Sequence, residues 1–121
     1  MTHLVFCLRR LPHLSADEFK RYWREVHAPL VREHARTLGI RRYVQSHALD
    51  EAAVAHLRAG RGSGEPFDGI ARLWFDAAKA GAPDAQVALA AQALLDDERR
   101  FIDLARSCLF LAEEHEILAD G

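Results

Sequence analysis

The sequence predicts an α+β domain of the ferredoxin-like type, βαββαβ, with a four-stranded antiparallel sheet and both helices on one face. Three observations carry that expectation. Two long segments repeat apolar residues at three- and four-residue steps, as amphipathic helices do. Four short runs rich in Val, Ile, Leu and aromatic residues have strand length or strand alternation. Their order along the chain is strand, helix, strand, strand, helix, strand. With 121 residues, half of them hydrophobic and 28% charged, the chain reads as a single globular domain over residues 1–121 rather than as a disordered one.

Taken in order, His3 to Arg9 (HLVFCLR) is almost continuously apolar and reads as a strand buried on both faces. The first helix runs from Ser15 to Gly39. Ser15 followed by Glu18 is a capping box. Phe19, Trp23, Val26, Leu30 and His34 share one face, and Gly39 supplies a left-handed cap. Pro29 interrupts the middle: it lacks the amide that would bond to the Glu25 carbonyl, and its ring crowds that carbonyl. A kink just after His27, with a backbone acceptor released nearby, is expected.

Ile40 to His47 (IRRYVQSH) alternates, with Ile40, Arg42, Val44 and Ser46 on one face and Arg41, Tyr43, Gln45 and His47 on the other. In the connection from Ala48 to Pro66, Asp50 is expected to cap a short helix through Leu57, and Gly60 to Gly64 form a flexible stretch that suits a lid or an insertion. Those glycines do not follow a strand and open a helix, so a phosphate cradle is excluded. Phe67 to Asp76 is the third strand, with Ala71, Leu73 and Phe75 facing one way and Asp68, Ile70, Arg72 and Trp74 the other. Pro83 and Asp84 open the second helix, which keeps its phase from Val87 through Leu94, Leu95, Glu98, Phe101 and Ile102 to Arg106; alternatively Asp96-Asp97 interrupt it and the second piece is a separate short turn. Ser107 to Ala112 is the fourth strand.

The formal net charge of −2 gives no electrostatic case for nucleic acid or an anionic membrane. No apolar run is long enough to span a bilayer and no leader opens the chain, so a cytoplasmic protein is expected. Cys7 and Cys108 stand in apolar runs and are expected to be reduced and buried. The strands carry large apolar groups on both faces, yet two helices cover only one. A second copy over the bare face, giving an isologous homodimer, is the simplest cover.

The segments PHLSADEFKRYWREVHAPLV, RRYVQSH, FDGIARLWFD and DDERRFIDLARSCLFLAEEHEI together resemble the EthD family, within the dimeric α+β barrel superfamily. The resemblance covers nearly the whole chain, and the YW…HAP helix and the FDGIARLWF strand are its most specific parts. It implies a ferredoxin-like protomer that pairs through its sheet. The family is named for an ethyl tert-butyl ether degradation cluster and is often catalogued as oxidoreductase-associated. Similar proteins include a methylmuconolactone isomerase and fungal decarboxylases or dehydratases of aromatic polyketides, which act on small rings without a metal or organic cofactor. The implied site is a histidine at the helix break with polar residues on the second strand: here His27, Tyr43 and His47. Where family members often carry a carboxylate on the third strand, this chain has Arg72, which suggests an anionic ligand group.

The residues allow that chemistry. An imidazole titrates near pH ~6.5, so His27 suits a general acid or base; otherwise it is a packed helix histidine bonded to the freed Glu25 carbonyl. Tyr43 could hold a carbonyl or carboxylate, and His47 could relay a proton; alternatively they form a strand-face aromatic and an exposed histidine. Arg72 beside Trp74 could clamp a carboxylate while the indole stacks on a ring, or could make an interface salt bridge. Trp23 would complete the apolar wall. His34 and the Glu113–Glu116 stretch do not converge as metal ligands by spacing, so no metal is expected. The expectation is a cofactor-independent isomerase, decarboxylase or dehydratase on a small cyclic or aromatic acid. The alternatives are an oxygen-dependent monooxygenase and a non-catalytic dimeric accessory protein.

Overall fold

The computed structural model describes residues 2–76 and 84–120. Among them, four strands form one antiparallel sheet: β1 (Thr2–Leu8), β2 (Ile40–His47), β3 (Gly69–Phe75) and β4 (Cys108–Glu113). The strand order is β2-β3-β1-β4, which is the ferredoxin-like arrangement expected from the order of elements. Leu4 pairs with Leu73 and with Leu111, so β1 lies at the centre of the hydrophobic pattern.

The first helical region has three parts: α1 (Ala16–Tyr22), a π-helical turn over Trp23–His27, and α2 (Ala28–Leu38). The capping box is present, with Ser15 and Glu18 exchanging backbone-to-side-chain bonds of 3.0 and 2.9 Å. Gly39 ends the region with φ 73°, the left-handed conformation in which glycine carries no Cβ penalty. The expected kink takes the form of a widened turn. The amide of Ala28 reaches back five residues to the Trp23 carbonyl, and Pro29 sits in the first turn of α2, where its missing amide costs nothing.

Three local expectations are corrected. The connecting helix α3 (Ala52–Arg61) begins after Glu51 rather than Asp50 and continues through Gly60 to a left-handed cap at Gly62. None of its residues is buried. The helix α4 (Ala85–Glu98) is capped by the Asp84 side chain on the Gln86 amide and ends one residue after Asp97 rather than at Arg106; the segment beyond is a separate short 3-10 turn, Leu104–Arg106, as the alternative of an interruption at Asp96-Asp97 expects. The helix stops because the chain turns to pair with the end of β1: Ile102 bridges Arg10, the Leu11 amide bonds to the Phe101 carbonyl, and the Asp103 amide bonds to Arg9. Pro83 lies outside the described residues. Thirdly, Cys7 is half-buried and Cys108 is exposed; both are free thiols, opposite one another on β1 and β4.

The core lies between the sheet and the helices and is built from Leu8, Phe19, Trp23, Ala71, Phe101 and Ile102. Gly69 is required by this packing. A Cβ there would lie 2.5 Å from Trp23 Cζ3 and 2.7 Å from the Ser46 carbonyl oxygen, so only glycine lets the indole settle on β3. Among the described residues, no helix is long and apolar enough to cross a membrane.

Candidate functional site

The widened turn sets the site. It places Trp23 and His27 one turn apart on the inner side of the helical layer, both buried. From α4, the carboxylate of Asp97 meets the His27 ring at 2.8 Å from Nδ1, and its other oxygen accepts the Tyr22 hydroxyl at 2.5 Å. A carboxylate only accepts hydrogen bonds, so Nδ1 carries the ring proton. Burial pushes the His27 pKa below its ordinary value, and the Asp97 charge opposes that shift without overcoming it. The pair is therefore a neutral imidazole donating to a carboxylate. Its other nitrogen, Nε2, is left with a lone pair and has no hydrogen-bond partner among the described residues.

A second network comes from β2. Tyr43, Gln45 and His47 share the face toward the helices. The amide nitrogen of Gln45 donates to the Trp23 carbonyl at 3.0 Å and to the Tyr43 hydroxyl at 2.9 Å. The Trp23 carbonyl fixes that amide orientation, because a flipped Gln45 would set oxygen against oxygen. Gln45 Oε1 then accepts from His47 Nε2 at 2.8 Å. The Tyr43 oxygen accepts from both Gln45 and Trp23 Nε1, the latter at 3.2 Å. With both lone pairs engaged, its own O–H is free to donate. Burial raises the Tyr43 pKa, so the phenol stays protonated.

Both networks border one cavity of about 50 Å³, lined by His27, Tyr43, Trp23, Leu73, Leu94 and Glu98 among others. Glu98 is the residue that sequence reading placed in the apolar register of α4 without giving it a role. Burial, reinforced by the neighbouring Asp97 charge, raises its pKa to about 7. It is an acid that holds on to its proton far above the ordinary carboxylate range, beside an imidazole that prefers to be neutral. Asp97, read from sequence as a helix interruption, is His27's partner in place of the Glu25 carbonyl.

The sheet separates the remaining expected site residues from these. Arg72 is opposite Val44 and Trp74 is opposite Arg42, whereas Tyr43 is opposite Leu73. Directly opposed residues share a face. Arg72 and Trp74 therefore point away from His27 and Tyr43, and the inward placement expected for them is corrected. On their face, the Arg42 and Arg72 guanidinium carbons stand 4.5 and 5.5 Å from the Trp74 ring centroid, and Arg72 lies 3.9 Å from Glu114. His47 stays on the helix side, stacked on Trp23. His34 lines none of the cavity around His27.

The sequence model of the EthD domain matches residues 11–105, which is most of the chain. The chain belongs to the EthD family. Among solved structures, this EthD chain resembles an ethyl tert-butyl ether (EthD) family protein from Bacillus halodurans, at 16% identity and a TM-score of 0.59 over 95% of this chain and all of that one. It also resembles HapK from Hahella chejuensis, at 14% identity and a TM-score of 0.52 with both chains fully covered. At such identities the likeness is one of fold. No protein of curated function matches the chain.

Proposed function

We propose that this EthD protein catalyses proton transfer on a small cyclic or aromatic acid, with no cofactor, at His27. The observation that supports the reading is the buried His27–Asp97 pair, whose geometry leaves Nε2 as a base beside a cavity lined by a phenol and by a carboxyl of raised pKa. In this scheme Nε2 takes a proton from an acidic C–H. The electron pair moves onto a carbonyl oxygen that accepts the Tyr43 O–H. Glu98 delivers a proton to the other end of the enol system, and the proton on His27 later restores Glu98, so atoms and charge balance for an isomerisation. Decarboxylation and dehydration use the same base and donor with a different leaving group. Trp23 forms the wall of the site and His47 braces it through Gln45. The chain acts as a homodimer, a reading supported by the exposed Phe110 and Ile70 on the open face of the sheet and by Leu109 and Leu111 along β4.

The cavity is smaller than about 150 Å³, the size that admits a benzene ring. Binding therefore requires half-buried lining side chains such as Leu73 and Leu94 to give way. That same size favours the second reading, a non-catalytic accessory protein. Solvent exchange separates the two. A panel of small cyclic keto and enol acids is incubated with the protein in D₂O and followed by proton NMR. The proposal expects protein-dependent exchange at one C–H, reduced ~100-fold or more by His27→Ala, the usual size for one acid/base residue. Exchange that survives the substitution unchanged, or that the protein never accelerates, supports the accessory reading.

A further inference from the structure

Apart from that cavity, α1, the start of the π-helical turn and the end of β2 border an open groove of about 660 Å³, within the size range of small-molecule sites. Lys20, Arg21 and Arg24 line one wall, with Asp17 as the acidic group among the lining residues; Gln45 and His47 line the other. The chain as a whole carries a net charge of −2, so this groove is opposite in sign to the chain's total. Lys20 and Arg24 are four residues apart on one helix face, where like charges repel. Among the described residues, no carboxylate lies within ion-pair distance of Lys20, Arg21 or Arg24. Among the residues that line the groove, three cations face one carboxylate, so its lining carries a net positive charge.

The wall opposite the cations carries one flat ring. The His47 ring lies 4.5 Å from Trp23, at 16° to its plane, so one imidazole face is taken and the other is turned toward the groove. Leu49, 73% exposed, stands at the rim and offers apolar contact there. Burial first, then the charges of Arg24 and Lys20, press His47 toward its neutral form, so both cations act on the imidazole across the groove that all three line.

We propose that this groove is a binding site for a small flat carboxylate, its ring stacked on His47 and its anionic group held by Lys20 and Arg24. The guanidinium of Arg24 presents paired donors to a carboxylate, and Lys20 adds a point charge. Three cations around one concavity are too few and too local for the phosphate track of a nucleic acid. The site does not depend on the reaction proposed at His27. It is joined to that cavity by the hydrogen bonds from His47 through Gln45 to Tyr43 and by the stacking of His47 on Trp23.

Benzoate is the probe, with inorganic phosphate beside it. Titration of the intact protein is followed through the imidazole ¹H–¹⁵N signals of His47. The proposal expects saturable benzoate binding that weakens as salt is added. Affinity should fall at least ten-fold in the double variant Lys20→Ala/Arg24→Ala, both changes being on the helix surface. His27→Ala should bind benzoate as the wild type does, which keeps this result separate from the fate of the proposed reaction. Arg58→Ala/Arg61→Ala on the exposed α3 is the control for general loss of charge. No saturable shift at His47, or unaltered affinity in the Lys20/Arg24 variant, overturns the site. Phosphate binding as tightly as benzoate overturns the stacked-ring part.

Discussion

Two tryptophans lie on opposite faces of the same sheet, each stacked on a histidine. Trp23 meets His47 with ring centroids 4.5 Å apart and planes 16° from parallel; Trp74 meets His3 at 4.6 Å and 17°. Both indoles are almost fully buried. Their N–H groups differ. That of Trp23 reaches the Tyr43 hydroxyl, while Trp74 Nε1 and His3 Nδ1 are buried with no partner among the described residues. An unpaired buried polar group costs about 1–3 kcal/mol. On the helix side of the sheet the indole N–H is thus built into a polar network, and on the open side it is not. The helix side is also where the titratable groups have perturbed environments and a shared cavity, as functional sites do.

The comparison is broken most directly at Asp97. Asp97→Ala strips the partner from both His27 and Tyr22, and a loss of about 3–5 kcal/mol in denaturant unfolding is expected. A loss below about 1 kcal/mol would mean that the helix side is held by apolar packing alone.

The next effect is one of pH. Burial raises the folded pKa of Glu98 from 4.5 to about 7, so the folded chain holds that proton where the unfolded chain has released it. Its stabilising contribution is fully present below pH ~4.5 and is lost as pH rises through about 7, amounting to about 3 kcal/mol at most. His27 acts with opposite sign: its folded pKa is depressed, so its contribution is present above the unfolded value of 6.5 and is lost as pH falls. Glu98→Gln should remove the first trend and leave the second. Wild-type and variant stability curves that run parallel between pH 4.5 and 7.5 would show that the carboxyl is solvated.

The smallest effects come from the indoles. Trp23→Phe removes a used donor and should cost about 1–2 kcal/mol beyond the change in packing, whereas Trp74→Phe removes an unused one and should cost less. Equal costs in chemical denaturation would erase the distinction between the two faces.

Much of this was legible in the sequence. The alternation of IRRYVQSH placed Tyr43, Gln45 and His47 on one face, and the capping box and Gly39 bounded the first helical region. Pro29 located the break, but a proline signals an interruption without saying whether the helix bends or widens. Asp97 was not legible because its partner lies 70 residues away in sequence, and an acidic pair near a helix end reads as solvent-facing. Glu98 left a signal, since a carboxylate in phase with Leu94 and Phe101 must be buried or paired. Alternation separated Arg72 and Trp74 from Ala71 and Leu73 without telling which face receives the helices. Gly69, with room for Trp23 and for nothing larger than hydrogen, marks that face.

The central claim concerns where one proton sits. Long-range ¹H–¹⁵N correlation spectra of the His27 ring at pH 7 test it. A protonated Nδ1 and a bare, pyridine-like Nε2 are expected, shifting to mixed tautomers in Asp97→Asn. A ring protonated at Nε2, or at both nitrogens, would leave no base facing the cavity and would contradict the account.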